Sequence, residues 1–341
     1  MPAILSVSTG SERIPGIDRT ARQAQAAARR IRGYVVETPL VRSDSFSAEL
    51  GASVYFKLEN RQTTGSFKLR GATNRVMTLS EAQRSRGCVA ASSGNHGAAV
   101  ACALQKVGAS GVIFVPEQTS AVKVDAIRAY GGDVVFYGSD GLDTEQHARK
   151  FAEEKGMSYL SPYNDEEVVA GQGTCAVELL EQLPDIDTVF VAVGGGGLIA
   201  GVGSVLKEHN PDIRVIGCQP AASPVMARSI EAGHIVELQS QPTLSDGTAG
   251  GIEAGAMTFP LNQLLVDEFV LIDEDQIAAA MRRYMDSEGE TIEGAAGVAI
   301  AAMLKRRASI REQNIAVIVC GGNISDEALE RVKSLRCPSR S

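Results

Sequence analysis

The chain has 341 residues, of which 44% are hydrophobic and 22% charged, and its formal net charge is −8. This composition is ordinary for a globular protein of two domains, and the acidic balance argues against a nucleic-acid surface. Apolar runs long enough to span a membrane are absent, Met1 to Arg13 lacks a signal-peptide pattern, and the six cysteines are scattered without a C-x-x-C pair. We therefore expect a cytoplasmic protein with reduced thiols and neither a membrane nor a nucleic-acid partner.

Apolar strand patterns, small-residue turns and helical patterns alternate along the chain. In chain order the sequence predicts helix 17–32, strand 54–58, helix 69–79, strand 88–91, helix 98–107, strand 111–115, helix 120–130, strand 134–137, helix 143–155, strand 158–160, helix 171–182, strand 188–193, a helix after Gly197, and strands 214–218, 269–272 and 315–319. Such alternation implies parallel sheets with right-handed crossovers. Ligands bind beyond the carboxyl ends of the strands in these sheets, so the turns that follow the strands are the candidate sites.

A lysine stands in the turn that precedes helix 69–79. Lys68 lies between the Gly65-Ser66 turn and the helix N-terminus, where exposed N–H groups disfavour the ammonium form. A lysine in that position loses its proton more readily and can serve as a nucleophile or a base. A solvated surface lysine is the competing interpretation.

Two further turns present backbone N–H groups to an anion. Gly194 to Gly197 follows a strand and opens a helix, which suits a phosphate group. Its match to the dinucleotide pattern G-x-G-x-x-A is weak, because the next strand ends at Gln219 rather than at an acid. Ser92 to Gly97 suits a carboxylate or a ring oxygen. The alternatives are a tight turn without a ligand for the first, and N-capping by Ser93 or Asn95 for the second.

A lysine nucleophile, a phosphate cradle and an anion-binding turn together suit pyridoxal phosphate, which needs an amine, a phosphate site and a partner for its pyridine nitrogen. The stretches that carry a family resemblance are 64–72, 92–97, 170–174, 194–198 and 320–323. In this order they resemble the motifs of fold-type II pyridoxal-phosphate enzymes, above all the serine/threonine dehydratase and serine racemase family, over about residues 17–323. The resemblance implies a two-domain α/β fold similar to the tryptophan synthase β chain, with open, parallel-rich sheets flanked by helices.

The resemblance also implies a domain division. A large cofactor-binding domain would comprise residues 1–86 and 165–341, and a smaller α/β domain, residues 87–164, would be inserted into it. Closure of the small domain would exclude water during turnover. A homodimer or another homo-oligomer is implied as well, and we expect no regulatory domain, because only 18 residues follow Asn323.

Carried over residue by residue, the resemblance makes Lys68 the lysine that forms a Schiff base with the cofactor. Phe67 would flank the cofactor ring, and Asn95 would hydrogen-bond the 3′-oxygen. Glu293 matches a glutamate that lies close to the ring. The cofactor phosphate would be bound by the N–H groups of Gly194, Gly195, Gly196, Gly197 and Leu198.

The resemblance also assigns residues to the substrate. Ser93 matches the serine that serves some racemases as an acid or base on the opposite face, and Asp246 matches an aspartate of the active-site cleft. A turn or capping aspartate is the competing interpretation of Asp246, which precedes a glycine. His96 is expected to be packed rather than catalytic. The substrate carboxylate would be held by the loop of Ser92, Ser93, Gly94, Asn95 and His96.

Two departures from the family pattern are informative. Cys320 stands where many relatives have serine, and neither group forces a proton onto the pyridine nitrogen as a carboxylate does. A neutral ring is a poorer electron sink, which favours loss of a β-leaving group over transamination. Gln219 and Val225 stand where metal-activated relatives supply carboxylates, so we expect no divalent-cation site. A small buried hydrophobe is the alternative interpretation of Cys320.

The predicted activity is the α,β-elimination of a β-hydroxy amino acid, L-threonine or L-serine, which gives a 2-oxo acid and ammonia. Freed Lys68 would remove the Cα proton, and the β-hydroxyl would leave as water. A serine racemase and a specialised dehydratase, such as those of hydroxyectoine utilisation, share these motifs and remain alternatives. A non-enzymatic binding protein is a further alternative, against which the intact Lys68 argues.

Overall fold

The structure, a computed structural model, describes residues 15–334, so the predictions on Met1 to Arg13 and on the thiol of Cys337 lie outside it. Within this range the helices are α1 (Pro15–Arg30), α2 (Asp44–Leu50), α3 (Lys68–Thr78), α4 (Glu81–Arg86), α5 (Asn95–Val107), α6 (Ala121–Arg128), α7 (Gly141–Lys155), α8 (Glu166–Gln182), α9 (Gly197–His209), α10 (Val225–Ala232), α11 (Thr258–Leu265), α12 (Glu274–Glu288), α13 (Gly294–Lys305) and α14 (Asp326–Ser334). The strands are β1 (Leu40–Arg42), β2 (Ser53–Leu58), β3 (Cys88–Ala91), β4 (Gly111–Val115), β5 (Asp133–Phe136), β6 (Ser158–Tyr159), β7 (Thr188–Ala192), β8 (Arg214–Pro220), β9 (Glu268–Ile272) and β10 (Asn314–Val319).

The strands form two sheets. The larger sheet has the order β1-β2-β10-β7-β8-β9, and the smaller has the order β5-β4-β3-β6. Every neighbouring pair is parallel except β1 and β2, which are antiparallel, and helices such as α13 and α7 pack against the sheets. The predicted α/β class with parallel-rich sheets is therefore confirmed. All four strands of the smaller sheet lie between residues 87 and 164. None of the described helices is long and apolar enough to cross a membrane.

Several element bounds differ from the predicted ones for local reasons. Helix α8 begins five residues before the predicted 171, because the Asp165 carboxylate accepts the N–H groups of Glu167 and Val168 at 2.8 and 3.0 Å and so caps an earlier turn. Helix α5 begins at Asn95 rather than at residue 98, with Gly94 as its capping residue. The antiparallel β1 was not predicted, because three residues carry too little of an alternating pattern.

The sheet order brings the candidate turns together. Strands β2, β10 and β7 are neighbours, and the parallel register sets Val319 beside Leu58, so their carboxyl ends lie at one edge. The chain leaves that edge at Glu59, Cys320 and the turn after β7. Helix α13 is buried from Gly294 to Met303 against the same sheet, which carries its preceding residue into the interior.

Candidate active site

One cavity of about 960 Å³ lies at the carboxyl ends of these strands. It is lined by every residue that the sequence predicts for the site: Phe67, Lys68, Ser92, Ser93, Gly94, Asn95, His96, Gly194, Gly195, Gly196, Gly197, Leu198, Asp246, Glu293 and Cys320. The structure thus brings together turns that are separated by up to about 250 residues of sequence. The role of each residue within the cavity stays a prediction.

Lys68 is the first residue of α3, which begins one residue before the predicted 69, so the lysine lies at the helix N-terminus as expected. Its Nζ donates a hydrogen bond of 2.9 Å to the carbonyl of Pro162 and lies 5.2 Å from the centre of the Phe67 ring. Burial lowers the pKa of the Lys68 ammonium to about 8, although the nearby acidic groups of Cys320 and Glu293 oppose the shift. An amine in this state is partly neutral near neutral pH, and only the neutral form is a nucleophile or base.

The glycine turn between β7 and α9 forms a cradle of bare backbone. Gly196 adopts a left-handed conformation at φ 84° and caps α9, which exposes the N–H groups at the helix N-terminus. Side chains are excluded from this turn by close neighbours: a Cβ on Gly195 would overlap the Tyr163 ring, and a Cβ on Gly196 would overlap the Asn262 amide. The close packing keeps the backbone donors open toward the cavity, as phosphate binding requires.

The turn before α5 is shaped by its backbone rather than by capping side chains. Neither Ser93 nor Asn95 caps the helix, and the hydroxyl of Ser92 accepts the N–H of Gly94 at 3.2 Å. Gly97 permits a close approach, because a Cβ there would overlap the Ser92 carbonyl. The capping interpretation is therefore wrong, and the first N–H groups of α5 face the cavity without a helical partner.

His96 is buried, and its Nε2 hydrogen-bonds the carbonyl of Leu160 at 2.8 Å. Burial, together with the charge of Lys68, lowers the pKa of the imidazole to about 3, so the ring is neutral. The prediction that His96 is packed agrees with this geometry. A contact to a substrate carboxylate would come from its backbone N–H, because the imidazole is directed to Leu160.

A chain of polar side chains also lines the cavity. Asn95 Nδ2 donates to Glu293 Oε2 at 2.9 Å, and Cys320 Sγ lies 3.7 Å from Glu293 Oε1. Burial raises the pKa of Glu293 to about 7, with a contribution from the Asp246 carboxylate, although the Asn95 amide opposes the shift. Burial and the neighbouring Glu293 raise the pKa of the Cys320 thiol well above its usual range. Cys320 is therefore an uncharged thiol at neutral pH.

Asp246 lies in a single 3-10 turn, 246–248, and is exposed to the cavity. Within the described residues its carboxylate caps no N–H group and makes no hydrogen bond, so Asp246 is not a capping residue, although it does lie in a turn as the competing interpretation has it. Its charge acts on Glu293 across the cavity and raises the pKa of that acid. This geometry agrees with the placement in the cleft that the resemblance implies.

Gln219 and Val225 are buried and serve the fold. The Gln219 amide donates to the carbonyl of Val193 at 3.0 Å and accepts the N–H of Ala227 at 2.8 Å, so it joins the ends of β7 and β8 to α10. Val225 opens α10 with an apolar side chain. In residues 15–334, no group of three or more His, Cys, Asp or Glu side chains is arranged to hold a metal ion.

Among the cavity residues that received no role from the sequence, two make specific contacts with the predicted site. The Tyr163 ring covers the glycine turn, and its hydroxyl accepts the N–H of Glu253 at 2.9 Å. Asn323 belongs to the 320–323 motif but received no role. Tyr163 could have been assigned to the cavity, because it follows the strand predicted at 158–160 and ligands bind beyond the carboxyl ends of such strands.

The site geometry and the fold define a pyridoxal-phosphate enzyme of fold type II. The chain belongs to the pyridoxal-phosphate dependent enzyme family, whose model matches residues 31–321. It is 38% identical over 313 residues to an L-threonine ammonia-lyase of Thermotoga maritima, covering 92% of this chain and 78% of the relative. It is 37% identical over 308 residues to a serine racemase of Oryza sativa, covering 89% of each. The solved structure of threonine deaminase isoform 2 from Solanum lycopersicum matches with a TM-score of 0.90 and 36% identity, covering 96% of this chain and 95% of that one.

The cofactor of this family is pyridoxal phosphate, and the residues present fit it. Lys68 offers a partly neutral amine, and the glycine turn offers backbone N–H groups in a place where neighbouring residues leave no room for a Cβ. Asn95 offers an amide donor for the ring oxygen, and Cys320 offers a neutral partner for the pyridine nitrogen. These groups share one cavity. Pyridoxal phosphate needs each of the four.

Proposed function

We propose that the protein removes water from a β-hydroxy amino acid, L-threonine or L-serine, and yields a 2-oxo acid and ammonia. One observation carries this proposal: a Lys68 amine with a lowered pKa shares its cavity with an uncharged Cys320 thiol in place of a carboxylate. A neutral partner leaves the pyridine ring a moderate electron sink, which favours elimination over transamination. Similarity to threonine ammonia-lyases and to a threonine deaminase supports the same reaction.

Pyridoxal phosphate, when bound, supplies a sink for the electron pair left at Cα. Lys68 would take the Cα proton, because its lowered pKa makes the neutral amine available near neutral pH. The Cα–H and Cβ–O bonds would break, and the β-hydroxyl would leave as water by gaining one proton, which balances the proton that Lys68 takes from Cα. The enamine product then exchanges its nitrogen for a water oxygen, which gives the 2-oxo acid and ammonia.

The remaining residues bind the cofactor and the substrate and hold them in position. In this proposal Phe67 flanks the cofactor ring, Asn95 donates to the 3′-oxygen, and Cys320 faces the pyridine nitrogen. Backbone N–H groups of the glycine turn and Leu198 bind the phosphate, and those at the start of α5 bind the substrate carboxylate. Glu293 lies at the ring, where a pKa of about 7 lets it carry or release a proton at neutral pH. Asp246 lies in the cleft near Glu293.

The deciding experiment is a panel of β-hydroxy amino acids with purified protein, which follows 2-oxo acid, ammonia and enantiomer ratio together. L-Threonine or L-serine should yield equal amounts of 2-oxo acid and ammonia. Lys68→Ala should lose the visible cofactor band and at least about a thousandfold in rate, as expected for a catalytic nucleophile and base. A colourless wild-type protein, or a Lys68→Ala variant that keeps the normal band, would end the proposal.

Racemisation is the second candidate, and one observation favours it. The Ser93 hydroxyl lines the same cavity as Lys68 and makes no hydrogen bond within the described residues, so it is free to exchange a proton. A serine racemase is also among the similar proteins. If the protein racemises, Ser93→Ala should abolish enantiomer interconversion yet keep elimination. Failure of the wild type to form D-serine from L-serine rejects this candidate.

We further propose that the enzyme is a cytoplasmic homodimer that needs no divalent cation, with residues 87–164 as a small domain inserted in the remainder. The separate sheet formed within 87–164 supports the domain division. The structural use of the Gln219 amide and the apolar Val225 supports independence from metal. A chelator should change activity less than about twofold, because no hard-cation ligand set is predicted there. Light scattering on the purified enzyme tests the dimer.

A further inference from the structure

Asn323 joins three segments of the cavity wall through one amide nitrogen. Its Nδ2 donates to the carbonyl of Thr64 at 2.9 Å and to Asn95 Oδ1 at 2.7 Å. A carboxamide has two N–H groups, so both are used. The contact with the lysine turn is close, because a Cβ on Gly65 would lie 2.5 Å from Asn323 Oδ1. Asn323 therefore connects the chain before Lys68 with the start of α5.

The polarity of this chain of hydrogen bonds is fixed at one end. A backbone carbonyl such as that of Thr64 can only accept, so the amide of Asn323 must direct Nδ2 toward it. The same nitrogen then meets the oxygen of Asn95, and the Asn95 nitrogen is directed toward Glu293, 2.9 Å away. One N–H of Asn95 serves Glu293, and the second remains for a ligand in the cavity.

Glu293 cannot fix this orientation by itself. Its pKa of about 7 makes it a mixture of carboxylate and carboxylic acid at neutral pH. The carboxylate accepts from an amide N–H, whereas the acid can also donate to an amide carbonyl, so Asn95 could face Glu293 either way. Cys320 also faces Glu293, and Asp246 and the backbone N–H of Asn323 act on the same carboxyl. None of these three fixes the rotation of the Asn95 amide.

We propose that Asn323 is a positioning residue that takes its polarity from the Thr64 carbonyl and holds the Asn95 amide with its N–H side toward the cofactor oxygen. The inference rests on the proposed role of Asn95 as a donor to the 3′-oxygen. An N–H donor stabilises that oxygen as an anion, whereas a carbonyl in its place repels it. Loss of Asn323 therefore shifts the bound cofactor from the tautomer with an anionic oxygen to the neutral one.

The test is the absorption spectrum of the holoenzyme. The anionic-oxygen form absorbs at about 420 nm and the neutral form at about 330 nm, as expected of this cofactor. Asn323→Asp keeps the shape but cannot donate, so the ratio of the long- to the short-wavelength band should fall about threefold to tenfold, the effect of one hydrogen bond. Asn323→Ala should lower the ratio less. Asn314→Asp is the matched control, because Asn314 Nδ2 also donates to a backbone carbonyl, that of Asp185 at 3.0 Å.

A double-mutant cycle separates positioning from a general structural effect. In an Asn95→Ala background, a change at Asn323 should leave the band ratio unaltered, because the amide that it orients is gone. An equal fall of the ratio in both backgrounds overturns the proposal, as does a wild-type ratio in Asn323→Ala. If Asn323→Asp does not bind the cofactor, the band ratio of Asn323→Ala alone decides whether the proposal holds. A wild-type protein without any cofactor band rejects the proposed function itself, which distinguishes the two failures.

Discussion

Glu59 and Glu293 are both buried acids, but their partners differ in charge. Glu59 accepts two N–H groups of Arg70, at 2.7 and 2.8 Å, and the hydroxyl of Thr38 at 2.5 Å. Arg70 also holds Glu178 through two bonds of 2.6 and 2.7 Å. The side-chain donors of Glu293 are neutral, an amide and a thiol. The first acid belongs to a closed ion network, and the second does not.

The consequence is opposite behaviour in protonation. Burial opposes the charge of Glu59, but Arg70 and Lys57 overcome it and hold the pKa of Glu59 below its usual value. At Glu293 burial prevails and raises the pKa to about 7. The paired charges of Glu59 and Arg70 stabilise the packing of α3, the helix that begins at Lys68. An uncompensated acid can exchange a proton at neutral pH, a property that clusters at functional sites.

The largest predicted effect is the loss of stability that follows when Glu59 loses its partner Arg70. Arg70→Met removes the cation that is hydrogen-bonded to the buried Glu59 and leaves only Lys57 near it, and we expect the free energy of unfolding to fall by about 3–5 kcal/mol, as for other broken buried pairs. Urea unfolding followed by circular dichroism measures it. The exposed pair Arg228–Glu231 provides the control, since Arg228→Met should change stability by less than about 1 kcal/mol. Equal losses in the two variants would show that Glu59 does not depend on this charge.

The next largest effect is expected at Glu293, whose pKa is raised whereas that of Glu59 is lowered. Its folded pKa of about 7 exceeds the usual 4.5, so unfolding releases a proton and wild-type stability falls as pH rises from about 4.5 to 7. Glu293→Gln carries no such proton. Its stability relative to wild type should therefore rise across that window by about 3 kcal/mol and stay level above it. Urea unfolding of cofactor-free protein from pH 4.5 to 8 tests this, and parallel curves would contradict it.

The sequence allowed the cavity to be predicted, because its parts are local. Lys68, the glycine turn and Cys320 each follow a buried strand or precede a helix, and strand ends in parallel sheets share an edge. The resemblance supplied the rest of the site, including Glu293. Tyr163 shows the limit: its position after a strand places it at the cavity, but its contact with the glycine turn depends on packing that no spacing reveals.

The ion network and part of the fold could not be predicted. Arg70 meets Glu178 across 108 positions, and sequence spacing carries no sign of such a pair. Helix α13 was missed because it is apolar on every face and therefore lacks the two-sided period that marks a helix. The compensation of Glu59 and the isolation of Glu293 are thus properties of tertiary structure.

Lys68 extends the comparison to a half-buried base, which makes no ion pair within residues 15–334. The rate at which cofactor-free protein takes up pyridoxal phosphate should rise about tenfold per pH unit below pH 8 and level off above it, because only the neutral amine reacts. An ordinary lysine would keep rising beyond pH 9. Uptake is monitored by the absorption at about 420 nm. The reaction of the cofactor with Nα-acetyl-lysine in solution, whose side-chain amine is free, corrects for the cofactor's own ionisations. A corrected profile without a break near pH 8 would contradict the lowered pKa.

Cys320 should give the smallest effect, provided that the substituted residue adds no charge. Cys320→Ser replaces the thiol donor beside Glu293 with a hydroxyl donor and leaves the pyridine partner neutral, so the ratio of elimination to transamination should change less than about twofold. Cys320→Asp is the contrast. It sets a second carboxyl beside Glu293, and two adjacent acids ionise together only at a cost, so one of them holds a proton.

The carboxylate that remains in Cys320→Asp would hold a proton on the pyridine nitrogen, because charge-assisted hydrogen bonds are about twice as strong as neutral ones. Elimination should then slow while transamination or racemisation rises, and combining the change with Glu293→Gln should strengthen the shift, since a single acid no longer competes with its neighbour. Cofactor content is measured first, because a buried aspartate can disturb folding. If Cys320→Ser alters the product ratio as much as Cys320→Asp does, charge at this position does not control the reaction, and Cys320 is a packed thiol.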